Sequence, residues 1–269
     1  MSAGSRRNLL CIGIGVVAGL LSGLFGVGGG ILIVPALIYL AKLDPKIAAG
    51  TSLLAIVPVS IVGAASYALA GHVHVLLAVI LAAGSILGAP VGTRLLARIS
   101  RRGLQLAFVA FIAVVVVSLF LVIPSRDSVI ELDPLRAAGM AVLGFVTGIL
   151  SGLLGIGGGV VIVPMLVLLF GASDLVAKGS SLLMMIATGA SGTVSNLRRG
   201  SVDVPAAVAV GLAAASSTLL GVWCAQALSP AAANIAFAVF LVGIAVKMLF
   251  DAFRSGREKP GSAPEKPSA

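Results

Sequence analysis

The sequence predicts an all-α polytopic membrane protein built of two inverted repeats of about four to five membrane helices each, with a glycine-broken first helix in each repeat. Three observations carry this: long uncharged stretches, a duplication at a fixed offset, and a run of three glycines at the same place in both copies. The 269-residue chain is 59% hydrophobic and 10% charged, whereas soluble domains carry roughly 25% charged residues. Its charges are clumped. Uncharged stretches run from Arg7 to Lys42, Lys46 to Arg94, Arg102 to Arg126, Arg136 to Asp174, Lys178 to Arg198 and Asp203 to Lys247. At about 20 apolar residues per bilayer crossing, these six stretches hold about eight to ten helices. An outer-membrane barrel is excluded, because nothing alternates with period two and the runs are several times longer than a strand.

The first element lies between Asn8 and Ala41. Arg6 and Arg7 before an apolar run have the look of a signal peptide, but no A-x-A site follows and the glycine pattern recurs deep in the chain, so the run is expected to belong to the mature fold. As one helix it would reach about 51 Å, far beyond a core of about 30 Å, so it is expected to cross out and back, breaking at the glycines. Counting from a cytoplasmic N-terminus, Lys42 and Lys46 fall inside and the His72–His74 turn outside. The cluster of Arg94, Arg98, Arg101 and Arg102 returns inside, and the linker PSRDSVIELDP, with Asp127, Glu131 and Asp133, lies outside. In the second half Arg198 and Arg199 fall inside, the Ser229–Pro230 turn outside, and Lys247, Arg254 and Arg257 inside. This agrees with the positive-inside rule at every strong basic cluster. Five segments per half is an odd number, so the repeats are inverted and both termini cytoplasmic. The net charge of +9 has the same explanation, and nucleic acid is not an expected partner.

The duplication pairs GLLSGLFGVGGGILIVPALIYL from Gly19 with GILSGLLGIGGGVVIVPMLVLLF from Gly148. An offset of 129 then holds as far as Val73, matching Gly50 with Gly179, Ser52 with Ser181, Gly63 with Gly192, Ser66 with Ser195 and Gly71 with Gly200. Beyond it, matching Gly88 to Gly221 calls for an insertion of about one helical turn. The expected organisation is one transmembrane transport domain over 1–253, with repeats at about 8–125 and 134–253. A disordered cytoplasmic tail over 254–269, rich in Pro, Ser, Lys and Glu, follows.

The glycine runs are the candidate site. Each glycine costs nearly 1 kcal/mol in a helix interior, and unwound backbone at membrane depth is tolerated only inside protein or along a wet cavity. Pro35 and Pro164 fit the first turns of a new helix. Each half thus offers a helix N-terminus with unpaired N–H donors, which suits an anion, and paired broken helices in inverted halves point to a transporter's central site. The predicted substrate-binding residues are Gly28, Gly29, Gly30, Gly157, Gly158 and Gly159 as backbone donors. Ser52, Ser181, Tyr67 and Asn196 are the side-chain candidates, with Thr51 and Ser180 matched beside the serines. The competing reading is that the glycines serve close helix packing and the hydroxyls bond neighbouring helices. Lys178 sits at a helix end, where snorkelling to the interface is the expectation, and no charge falls safely inside a span, so a carboxylate relay has no candidate.

Other chemistry is not expected. GVGGG and GIGGG lack the dinucleotide spacing, and no P-loop is present. Gly189–Gly192 reads G-x-S-G, but the only histidines, His72 and His74, lie in a polar turn of the other half, leaving no base for a nucleophile. That H-x-H pair has no third metal ligand nearby. Cys11 and Cys224 lie in apolar helices and read as packing residues. No catalytic residue, metal or cofactor is predicted.

In the first copy, GLLSGLFGVGGG with its proline, A-G-T-S-L and the Y-x-x-x-G-H-V turn, and in the second G-x-x-S-G-x-x-G-x-G-G-G, K-G-S-S-L and N-x-x-x-G-x-V-D, the chain resembles the sulfite exporter TauE/SafE family of membrane permeases, from about Leu9 to Phe253. The resemblance implies a permease of the bacterial inner membrane that moves a small anion, often sulfite, sulfoacetate or another sulfur-containing organic acid. It also implies about eight spans, fewer than ten segments unless each glycine-broken segment counts as one. The expected function is a secondary transporter for a small anion, with the lipid bilayer as its other partner. A channel-like pore is one alternative, and a membrane-embedded enzyme or assembly factor without transport is the other.

Overall fold

A computed structural model describes residues 3–100, 103, 106–107, 109–110, 112–114, 116–117 and 133–255. The acidic linker up to residue 132, with Asp127 and Glu131, and most of the tail lie outside the described residues. Every regular element among them is helical: α1 (Ala3–Phe25), α2 (Gly30–Tyr39), α3 (Pro45–Leu69), α4 (Val75–Arg98), α5 (Pro134–Leu154), α6 (Gly159–Phe170), α7 (Asp174–Leu197), α8 (Val204–Ala227) and α9 (Pro230–Ser255), with further helical residues between 103 and 117. Helix α9 carries the fold two residues past the expected boundary at 253. Five helices, Arg6–Phe25, α3, α4, α5 and α8, are long and apolar enough to cross a membrane. At 24 residues α7 matches them in length but is more polar, and most of its side chains are buried inside the bundle. The halves of the broken helices differ: α1 is long enough to span, whereas α2 and α6, at 10 and 12 residues, are half-length.

Helix boundaries follow local chemistry. Asp44, Asp133, Ser173 and Asp203 accept from backbone N–H groups in the first turns of α3, α5, α7 and α8, and His74 does so for α4 through Nδ1 at 3.3 Å. Pro45 opens α3, where its missing N–H costs little. Pro35 and Pro164 are placed differently from that expectation. Each is the sixth residue of its helix, one turn deeper than a first-turn proline, and withholds the N–H that the carbonyls of Ile31 and Val160 would receive.

The two halves interlock. Helix α1 packs along α8 and, correspondingly, α5 packs along α4, while α3 and α7 sit together at the centre. Both outer pairs run parallel and approach through small residues. Gly15, Gly19 and Gly23 lie against backbone of Val210, Ala214 and Thr218, and Gly144, Gly148 and Gly152 against backbone of Leu81, Ser85 and Ala89. A methyl group at any of these would meet a carbonyl, so glycine permits the separation at which dispersion contacts hold apolar helices together in lipid. These contacts keep the offset of 129 through α8. Gly92 packs on Ile149 as Gly221 packs on Leu20, so Gly92, and not Gly88, is the mate of Gly221 and no insertion is needed. In contrast, α3 and α7 run antiparallel: Gly50 faces Asn196 and Ser201, and Gly179 faces Tyr67 and His72.

One end of the bundle gathers the basic residues. Arg7 pairs with Asp203 at 3.0 Å, the Asp203 N–H donates to Thr51 Oγ1 at 2.9 Å, and Lys46 Nζ donates to the Ala97 carbonyl at 3.0 Å. The starts of α1, α3 and α8 and the end of α4, with Arg94 and Arg98, therefore share one face. Thr93 and Ser195, 2.5 Å apart, bring the end of α7 with Arg198 to the same place.

Candidate functional site

Both glycine runs break the helix as expected. Gly26, Gly28 and Gly29 have φ of 70°, 69° and 73°, and Gly155, Gly157 and Gly158 have 72°, 79° and 92°. This left-handed region is open to glycine and strained for other residues. Helices α2 and α6 start immediately after, with Gly29 and Gly158 as N-caps that supply no side-chain acceptor. The carbonyl of Gly29 receives the N–H groups of Leu32 and Ile33, and that of Gly158 receives those of Val161 and Ile162. Among the described residues, no acceptor takes the N–H of Gly28, Gly29 or Ile31, nor of Gly157, Gly158 or Val160.

The two breaks meet. Gly30 lies against Gly155 and Ile156, and Gly159 lies against Gly26 and Val27. All of Gly26–Gly30 and Gly155–Gly159 are buried. Ile56 of α3 and Met185 of α7, mates at the offset of 129, fill the space between them: both touch Gly28 and both touch Gly157. Each is fully buried. Two helix N-termini with free donors thus converge on a centre occupied by one branched aliphatic and one flexible thioether side chain.

Matched hydroxyls hold this junction across the halves. Ser52 Oγ donates to the Gly155 carbonyl at 2.8 Å, and Ser181 Oγ donates to the Gly26 carbonyl at 2.6 Å and the Lys178 carbonyl at 2.9 Å. Tyr67 Oη donates to the Gly23 carbonyl at 2.8 Å, one turn before the first break. Asn196 occupies the matching place on α7 near Gly50, and its buried Nδ2 has no acceptor among the described residues. Thr51 and Ser180 lie outside the junction, accepting the N–H groups of Asp203 and His74 at 2.9 Å each. The predicted glycines and Ser52, Ser181 and Tyr67 are therefore brought together, while Asn196 stands apart towards the basic end.

Sequence reasoning missed three features. Lys178 does not snorkel. It is 4% exposed, its stem packs against Gly26, and Nζ meets Asp174 Oδ2 at 3.2 Å, with Asp174 itself 3% exposed. A buried ion pair thus adjoins the first break, where the sequence reading placed no internal charge, and only the four-residue Asp–Lys spacing on one helix signalled it. The matching positions in the first half are Pro45 and Ala49, so the pair has no mate. Ser22 and Ser151, mates in the S-G-x-x-G motif, carry buried hydroxyls with no partner among the described residues. Ile56 and Met185 had no signal beyond their matched positions. Among the described residues, no three His, Cys, Asp or Glu side chains group as metal ligands.

Comparison with known proteins fits this architecture. The chain matches the family described as "Sulfite exporter TauE/SafE" over residues 2–119 and 140–269. A "Probable membrane transporter protein" of Xylella fastidiosa (strain Temecula1) is 30% identical over 258 residues, covering 92% of this chain and 97% of the relative. One of Haemophilus influenzae is 30% identical over 266 residues, covering 89% and 97%. "Probable membrane transporter protein YunE" of Bacillus subtilis is 29% identical over 218 residues, covering 72% and 80%. No solved structure matches the chain.

Proposed function

The chain belongs to the sulfite exporter TauE/SafE family of multi-pass membrane transporters, and from that premise we propose that it is a secondary transporter for a small anion, sulfite or a sulfur-containing organic acid, working by alternating access. The observation that carries the reading is the meeting of the two glycine breaks: Gly30 lies against Gly155 and Ile156, Gly159 lies against Gly26 and Val27, and each break carries backbone N–H groups that no acceptor takes among the described residues. Helix N-termini carry about half a positive charge each, so an anion between them gains attraction and donors without a fixed charge in its path. The Lys178–Asp174 ion pair stands beside the first break, with the lysine stem against Gly26. Transport then requires Met185 and Ile56 to withdraw, which makes the filled centre a closed state of the carrier.

The antiparallel run of α3 and α7 supports inverted repeats, since mates related by an axis in the membrane plane point in opposite directions. Such a pair can open to one side and then the other by rocking one half against its mate. Placing the basic end in the cytoplasm, by the positive-inside rule, sets the N-terminus there. With α9 as a fifth segment of the second half, the C-terminus lies there too, in a bacterial inner membrane. The filled centre favours a carrier over a channel.

The test is uptake by liposomes containing the purified protein, comparing sulfite, sulfate, thiosulfate, sulfoacetate and non-sulfur carboxylates with and without a pH gradient. Saturable flux of a sulfur anion is expected. Flux that does not saturate supports a channel, and no flux of any anion contradicts the proposal.

A further inference from the structure

Away from the glycine junction, a groove of ≈ 820 Å³ runs between α4 and α7 and opens on the basic end. Its walls are apolar along Ile86, Pro90 and Val194, and its mouth carries Arg94, Arg198 and Arg199. All three arginines are exposed, and none meets a carboxylate among the described residues. The hydroxyls beneath are consumed in joining the helices: Ser85 to Thr188 at 2.6 Å, Thr93 to Ser195 at 2.5 Å, and Ser191 donating to the Ile86 carbonyl at 3.0 Å. A small free anion would find charge at the rim and no spare donors along the floor.

The repeat sharpens the point. At the offset of 129, the mates of Arg94, Arg198 and Arg199 are Trp223, Leu69 and Ala70. The mated position between α3 and α8 thus has the same helices without the cations, so the charge is not something the fold requires.

We propose that the α4–α7 groove binds an anionic phospholipid, with an acyl chain along Ile86, Pro90 and Val194 and the headgroup phosphate on Arg94, Arg198 and Arg199. An apolar slot with a cationic rim is complementary to that amphiphile, and a guanidinium suits a phosphate oxygen pair. Helix α4 is long and apolar enough to cross a membrane and exposes Ile86 towards the groove opposite the exposed Val194, which gives a lipid a lateral way in.

The experiment is native mass spectrometry of protein taken from vesicles of equal phosphatidylglycerol and phosphatidylcholine, with Arg94→Gln/Arg198→Gln/Arg199→Gln, Val194→Trp and Arg98→Gln as variants. The wild type is expected to retain phosphatidylglycerol preferentially. Each cation at an anionic lipid surface contributes about five-fold, so the triple variant should lose preference on the order of 100-fold. Val194→Trp, which fills the slot and leaves the arginines, should also lose bound lipid. Arg98→Gln, on the same end but outside the groove, should not. Equal retention of both lipids by the wild type, or loss in Arg98→Gln equal to that in the triple variant, overturns the proposal. So does displacement of the lipid by millimolar inorganic phosphate or sulfite, which would make the groove a vestibule for free anions. None of these outcomes depends on the transport reading.

Discussion

Gly28→Ala is the perturbation whose effect can be worked most fully. At φ 69° a side chain enters the left-handed region, which costs roughly 1–2 kcal/mol for an L-residue. The new methyl also meets the terminal methyl of Met185 and lies 3.2 Å from Ile56 Cγ2. Met185 must turn off its rotamer, at about 1 kcal/mol, because the opposite side is closed by Gly157. The total is a loss of about 2–3 kcal/mol, built from these two contributions. Thermal unfolding in detergent measures it. In a Met185→Ala background the clash disappears and the strain stays, so the cost of Gly28→Ala should drop by about 1 kcal/mol, within the usual range for coupled neighbours. Gly13→Ala is the control: on the same side of the repeat, in α1, with nothing within 4 Å of the added methyl. If Gly28→Ala costs no more than Gly13→Ala, or costs the same with and without Met185, then the break is not packed against Met185 as described and the junction loses its physical basis.

Other perturbations probe the remaining parts. Ser52→Ala and Ser181→Ala each strand a buried carbonyl of the opposite half, so each should cost about 1–3 kcal/mol by thermal unfolding, and similar values for the two would reflect their matched places. Lys178→Met should cost about 3–5 kcal/mol by taking the lysine cation away from the buried Asp174 carboxylate, whereas Asp174→Asn/Lys178→Met should recover most of the stability. A double variant that recovers stability but carries anion at a lowered maximal rate would assign Lys178 to transport, and full flux would leave it a structural role. Along α1, Gly19→Ala should prevent close approach to Ala214 and lower expression of folded protein, while Gly13→Ala gains up to about 1 kcal/mol. Equal effects on fluorescence-detected size exclusion would contradict the packing described for α1 and α8.

Much of this architecture was legible because the membrane imposes simple rules. The uncharged stretches gave the spans, and the duplicated GVGGG and GIGGG gave the breaks, since so many glycines in a row disfavour helix at any depth. That the two breaks touch was not readable from spacing. It depends on the interlocked partnering of α1 with α8 and α5 with α4, which rests on glycines spaced four apart whose contacts lie in the other half. Drift of side chains in α4 and α8 hid the fixed offset, because helix approach preserves backbone register while lipid-facing residues vary freely. Lys178 was misjudged for a related reason. A helix end near the interface normally lets a lysine reach water, but here α7 is central and Gly26 packs on the lysine stem, so the ammonium is met by Asp174 instead. Serines at matched positions read as ligands, whereas Ser52 and Ser181 donate their hydrogens to the opposing glycine carbonyls.

Equilibrium binding of radiolabelled sulfite to the purified protein and to Gly29→Val and Gly158→Val addresses the junction directly. One saturable site per chain is expected in the wild type, lost in either variant although both remain folded and membrane-inserted, because each break supplies half of the donors. Retained binding in one or both variants would place the anion elsewhere and contradict the claim that the two breaks form a single site.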